Sequence, residues 1–213
     1  MIESEAYLEC RCGECRIVLC DPAMRSRTEC LCSDCRKRGL LSASKAPENA
    51  LPEAVSNFER GVDLIYFANA FIVDDASRER LEFSKLSEEG ANTTAMSTCF
   101  GTLMCGTHPM YQGNTISANA DSCRVSVPSK ISSQAVVFAC DAPDERAKEI
   151  EARRSVPVIY DVFGSLDQPV LQKFVADVTA AISDDALAVA NTNFEKLCAE
   201  KILVIEEFTA EEI

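Results

Sequence analysis

The sequence predicts a mainly β domain followed by a helical (α+β) C-terminal extension, and three observations carry that expectation. Short β-branched and apolar runs interrupted by polar residues recur through the first two thirds of the chain. Seven of the 12 cysteines crowd into positions 10–35 as CRCGEC and CLCSDC, a pattern suited to metal knuckles that pin strands together. Beyond about residue 141 the apolar spacing changes to that of amphipathic helices. The predicted division is therefore a zinc-binding β domain at 1–140 and a helical extension at 141–213 packed on it.

Taken in order, the strand candidates are AYLEC (6–10), CRIVLCD (15–21), RTECLC (27–32), VDLIYF (62–67), AFIVDD (70–75), RLEFSKL (80–86), TAMSTC (94–99), CRVSV (123–127) and QAVVFAC (134–140). RKRGLL after Cys35 predicts a brief helix or turn. The two prolines in 44–61 predict a loop. DAPDERAKEIEARR has an Asp cap and mixed charge suited to an exposed helix, and VPVIYDVF (156–163) predicts a strand. PVLQKFVADVTAAI (169–182) sets Val170, Leu171, Phe174, Val175, Val178 and Ile182 at helical spacing, with proline suitably first. A second amphipathic helix is predicted over 184–200 and a last strand over 202–208. These apolar stripes read as core.

With 213 residues, 47% of them hydrophobic and 26% charged, the chain is long and apolar enough to bury a sizeable core. A formal charge of −13 argues against gripping nucleic acid or anionic lipid. No early stretch has the form of a signal peptide, and the apolar runs fall far short of the roughly 20 residues of a membrane helix. The expected state is soluble and cytoplasmic, and in that compartment 12 cysteines need a use other than disulfides.

Zinc supplies that use. Thiolates at i and i+2 or i+3 around a tight turn can point at one ion, and Gly13 allows such a turn through positive φ. Cys10 and Cys12 make half of a tetrahedral site, and Cys99 with Cys105 can supply the other half, giving a closed structural centre. Cys30, Cys32 and Cys35 are then three ligands with an open position, as a catalytic zinc requires. Cys15 can close that position instead, which would make the second centre structural too. It reads equally well as a strand core residue. Five cysteines (15, 20, 123, 140 and 198) remain as buried or free thiols.

The motifs CRCGEC, CLCSDCRKRG and CGTHP resemble the glutathione-dependent formaldehyde-activating enzyme and centromere protein V (GFA-like) family. The matching residues are Cys10, Cys12 and Gly13; then Cys30, Cys32, Cys35, Arg36, Lys37 and Gly39; then Cys105, Gly106, Thr107 and His108, preceded by Cys99. The resemblance spans roughly residues 5 to 128. It implies a β-tent fold with two zinc ions, one structural on Cys10, Cys12, Cys99 and Cys105, and one catalytic on Cys30, Cys32 and Cys35. It also implies the chemistry of a carbon–sulfur lyase such as S-(hydroxymethyl)glutathione synthase. Two departures stand out: Cys99 and Cys105 are separated by five residues, more than the family's usual spacing, and Cys15 replaces an aliphatic residue. The longer spacing leaves His108 as an alternative to Cys99.

Two functions follow as expectations. In the first, a small thiol or its hydroxyalkyl adduct fills the open zinc position, where its thiol pKa falls, and Arg36 or Lys37 binds a glutathione-type carboxylate. His108 is the single imidazole available as a base. Asp34 is an acid–base candidate that reads more readily as a turn former. In the second, the chain is a non-catalytic, zinc-stabilised module that binds a protein partner. Neither reading involves nucleic acid or membrane, and both are compatible with a homodimer.

Overall fold

The computed structural model describes residues 6–47, 61–142, 144–153, 155–199 and 202–204. The first strands are β1 (Tyr7–Glu9), β2 (Arg16–Leu19) and β3 (Ser26–Cys30), and helix α1 (Ser33–Lys45) follows. Next come β4 (Val62–Ala68), β5 (Phe71–Ile72), α2 (Asp75–Glu79), β6 (Leu81–Lys85), β7 (Thr93–Ser97), β8 (Leu103–Thr107), β9 (Thr115–Asn119), β10 (Arg124–Ser126) and β11 (Ala135–Val137). The late elements are α3 (Asp144–Arg153), β12 (Val158–Ile159), α4 (Pro169–Thr179), α5 (Asp184–Val189), α6 (Phe194–Cys198) and β13 (Ile202–Val204). Among the described residues no helix is long and apolar enough to cross a membrane.

These strands form two sheets. The smaller has the order β10-β1-β2-β5, and the larger runs β12-β11-β3-β4-β9-β8-β7-β6-β13. The mainly β expectation therefore holds. Alternation along the strands divides the core between the two faces of the large sheet. On β4, Ile65 and Phe67 face Leu8, Ile17 and Leu19 of the small sheet, whereas Tyr66 points the other way, against Tyr111, Phe174 and Val178. On that second face α1 sets Leu41 against Met96 and Leu103. Helix α4 is held there by hydrogen bonds from Arg25 to the Ala180 and Ala181 carbonyls and from Thr115 to the Val178 carbonyl. One face of the large sheet is thus closed by the small sheet together with Phe194 and Leu197 of α6, and the other by helices.

The segment after residue 141 adds an edge strand at each end of the large sheet. β12 pairs parallel with β11 at one edge of the large sheet, and β13 pairs parallel with β6 at the other. Three further differences have local causes. The helix after Cys35 runs 13 residues instead of one short turn, because the Cys32 side chain and Asp141 cap its first amides and its far end packs on the sheet. The helix predicted over 184–200 breaks at 190–193. There Asn191 bonds both backbone groups of Val73, Thr192 bridges to Phe71, and Asn193 caps α6 through the Lys196 amide. Most of the loop predicted over 44–61, and the end of the strand predicted over 202–208, lie outside the described residues.

Gly101, in the turn between β7 and β8, tests the packing of α1. Its φ is +60°, and a Cβ there would meet both the Ser42 carbonyl oxygen and the Lys45 Cβ at 2.8 Å. Gly101→Ala should therefore cost roughly 2 kcal/mol or more. The Tm should fall by roughly 4–8 °C in calorimetry.

Candidate metal centres

Six cysteines converge in two groups of three, Cys10–Cys12–Cys99 and Cys30–Cys32–Cys35, with the sulfurs of each group within 4.8 Å of one another. All twelve cysteines are free thiols.

The first group is built by two turns. After β1 the chain reverses between Cys10 and Cys15, closed by bonds from the Cys10 amide to the Cys15 carbonyl and from the Gly13 amide to the Cys10 carbonyl, both 2.9 Å. Gly13 takes φ +81°, as this reversal requires. Cys99 arrives from the β7–β8 turn, 3.0 Å from Cys12 Sγ and 3.4 Å from Cys10 Sγ. A tetrahedral ion with metal–sulfur bonds of about 2.3 Å holds sulfurs about 3.8 Å apart. A small outward movement of each side chain would therefore admit it. Burial raises the Cys10 pKa, but hydrogen bonds from Ser97 at 3.1 Å and Thr102 at 3.3 Å outweigh it, and the thiol ends below its ordinary value. Cys12 is pushed up to about 12 by burial and by its contacts with Cys99 and Cys10.

Cys105, expected as the fourth ligand, is not in this group. The reason is a bulge: Ala95 pairs with Cys105 while Met96 pairs with Leu103, which leaves Met104 as an extra residue on β8. The bulge turns Cys105 into the core between the sheets with Ala95 and Ala118. Burial there raises its pKa strongly, with nearby Cys123 and Cys15 adding to the effect. His108, the alternative to Cys99, is not in the group either; its Nδ1 accepts the Met110 amide at 3.0 Å.

The second group sits where β3 runs into α1. Cys30 ends the strand, Cys32 is the N-cap of the helix and accepts the Cys35 amide at 3.3 Å, and Cys35 lies in the first turn. Asp141 accepts the Ser33 amide at 2.8 Å and fixes the same end. The Cys32 thiol is held far below its ordinary value, first by hydrogen bonds from the Cys30 and Cys35 thiols and then by the Cys35 amide and Arg38. Cys30 is raised by those same thiol contacts and by burial. Cys35 is raised as well: its bond with Cys30 lowers it, but the bond to Cys32 and burial prevail. Cys10 and Cys32 are thus shifted toward ionisation, whereas Cys12, Cys30 and Cys35 are shifted away from it, a donor set compatible with zinc. Cys15 is elsewhere, buried with its thiol 3.6 Å from the Ser77 carbonyl oxygen. Among the described residues no fourth Cys, His, Asp or Glu joins either group.

Ligand count therefore does not separate the two centres, but surroundings do. Cys30, Cys32 and Cys35 line a cavity of about 500 Å³ that Cys10, Cys12 and Cys99 do not touch. Arg36 and Lys37, the expected substrate-binding pair, are exposed on α1 and do not line it. Arg38 does, and it is buried, with Asp34 Oδ2 at 3.9 Å and the Asn92 carbonyl oxygen at 3.4 Å. A helical signal for Arg38 was present in the sequence, since it follows Asp34 by four residues and Cys35 by three. His108 also lines the cavity, and burial followed by the charge of Arg38 lowers its pKa. With Nδ1 occupied as an acceptor, the neutral ring carries its proton on Nε2.

No family model matches the chain, and no curated protein or solved structure matches it. What the fold and the site define is a mainly β protein of two sheets, carrying two three-cysteine groups that can hold metal ions.

Metal ligation requires thiolates, and Cys30 and Cys35 bind their protons more tightly than ordinary thiols, so protons compete with metal as pH falls. Loading that group should release about two protons. Calorimetry in buffers of different ionisation enthalpy should show this release, and a chelating dye should show metal loss on acidification.

Proposed function

We propose that the chain is a zinc-dependent carbon–sulfur lyase, or thiol-adduct enzyme, that works at Cys30, Cys32 and Cys35. The observation that carries this reading is a three-thiol group with no fourth protein ligand among the described residues, opening onto a cavity large enough for a small molecule. The resemblance of the cysteine motifs to the GFA-like family points the same way, and with it to a β-tent arrangement of the two sheets. Cys10, Cys12 and Cys99 are then the structural centre, tying the first knuckle to the β7–β8 turn.

Zinc held by the triplet would lower the pKa of a substrate thiol and hold its sulfur beside the reacting carbon. The chain's own residues supply the rest. When the bond forms, the thiolate attacks a carbonyl carbon, the C=O electron pair moves to oxygen, and that oxygen takes a proton from water. Cleavage is the reverse: the hydroxyl loses its proton as C=O forms, and the C–S electron pair returns to sulfur. His108 Nε2–H is the donor suited to the oxygen on which charge develops. The buried Arg38 guanidinium offsets the negative charge of three thiolates around a divalent ion.

Two zinc ions per chain are expected by metal analysis. Cys30→Ala should lose one, stay folded, and lose roughly 10³-fold or more in turnover of an S-hydroxymethyl thiol adduct. Cys12→Ala should instead lose the cooperative fold, since a structural zinc contributes on the order of 10 kcal/mol. Turnover unchanged in Cys30→Ala would refute this placement of the site, and absence of turnover by the zinc-loaded chain would refute the enzyme reading in favour of an interaction module. His108→Gln should lower kcat by roughly 10²-fold with KM little changed.

A further inference from the structure

We infer that the cavity selects a thiol, or thiol adduct, with an apolar body of about one aromatic ring, in preference to glutathione. This inference rests on the reading of Cys30–Cys32–Cys35 as the site of the substrate sulfur. Its support is the composition of the cavity walls. Beside the thiols the lining is largely aromatic and aliphatic: Tyr66, Tyr111, Phe138, Phe163, Leu171 and Phe174, with Phe138 and Leu171 packed in the same cluster as the cysteines. Tyr66 makes edge-to-face contacts with Phe174 at 5.0 Å and Tyr111 at 5.8 Å, so that side is a preformed apolar surface. The Tyr66 hydroxyl is engaged by Thr28 at 3.2 Å.

Charge is placed to disfavour glutathione. Its two carboxylates and one ammonium would each need a partner inside the cavity. The charged side chains there are Asp34, Arg38 and Asp141. Asp141 is engaged by the Ser33 amide, and the one guanidinium stands beside Asp34 and the thiols. The exposed Arg36 and Lys37 are outside, so the cations that the sequence offered for a peptide-like thiol do not face the cavity. Arg38 and His108 suit a single oxygen near the sulfur, and the other polar lining residues, among them Asn92, Thr94, Ser117 and Asn119, carry no charge to neutralise a zwitterionic tail.

At the rim, Phe163 is 60% exposed, with Phe138 as its ring partner at 5.9 Å. A large apolar side chain left open at a cavity edge is surface that an apolar ligand would cover. Phe163, Leu171 and Phe174 all come from the part of the chain after residue 141. The late segment is therefore the specificity wall of the site as well as an edge of the sheet.

The test uses the full chain loaded with Co²⁺, whose visible bands report a thiolate entering the metal sphere, with Cys30→Ala identifying the bands that belong to the triplet. Benzyl mercaptan should bind roughly ten-fold or more tightly than glutathione. Phe174→Ala and Phe163→Ser should each weaken benzyl mercaptan several-fold and leave ethanethiol nearly unchanged. The exposed Phe163 position keeps the test valid if Phe174→Ala fails to fold. Glutathione binding as tightly as benzyl mercaptan would overturn this inference while leaving the proposed function standing. Bands indifferent to every thiol would overturn both.

Discussion

The turn between β7 and β8 is the constraint on which both cysteine groups depend. It is closed by bonds from the Ser97 amide to the Thr102 carbonyl and from the Thr102 amide to Ser97 Oγ. On one side it delivers Cys99 to Cys10 and Cys12; on the other its Gly101 carbonyl accepts the Ser42 hydroxyl of α1, the helix whose first turn carries Cys32 and Cys35. Met96 and Leu103, flanking the turn, pack on Leu41 of the same helix. An ion at the first group would bridge positions 89 residues apart. Closing a loop of that length removes roughly 4–5 kcal/mol of denatured-chain entropy in the chain-entropy account. Metal at the first group would thereby hold in place the turn against which the second group's helix is seated.

Where local chemistry decides the outcome, the fold was legible in the sequence. Strands such as VDLIYF and RLEFSKL, the proline-started helix at 169 and the Gly13 reversal all appear where periodicity and turn residues put them. The misses are tertiary. β9 reads TISAN, with little apolar content, and is a strand because β4 and β8 pair with it on both sides. β8 was hidden inside a motif read for its cysteines. The strands at the far edges, β12 and β13, are two and three residues long, and their place in the sheet depends on partners far away in sequence.

The candidate site was legible to the extent that ligands lie close together along the chain. Cys30, Cys32 and Cys35 share one strand-to-helix junction, and spacing alone predicts their convergence. Cys99 was correctly drawn to Cys10 and Cys12 across a long separation, whereas Cys105 was not available, because one bulged residue, Met104, reverses the face of the strand beyond it. No spacing rule registers a bulge. Arg36 and Lys37 drew attention by adjacency to Cys35, but a helix turns about 100° per residue, and the third position, Arg38, is the one directed back at the thiols.

That inward arginine also explains how two centres of equal ligand count can differ in role. Cys10 takes its stabilisation as a thiolate from the neutral hydroxyls of Ser97, at the end of β7, and Thr102, in the turn before β8. Such a centre satisfies itself within the scaffold. At the other group, Cys32 draws first on the Cys30 and Cys35 thiols and then on the Cys35 amide and the Arg38 guanidinium, and Arg38 acts on Cys35 as well. A buried guanidinium is costly unless charge is close by, and Asp34 at 3.9 Å, half-exposed, is a weak partner. The Cys32 thiolate is the second. A buried guanidinium near three sulfurs, all of them lining one cavity, favours negative sulfur at the cavity wall. Exchange of a thiol, the step we propose for this group, requires such a site, and the Cys10–Cys12–Cys99 group does not line that cavity.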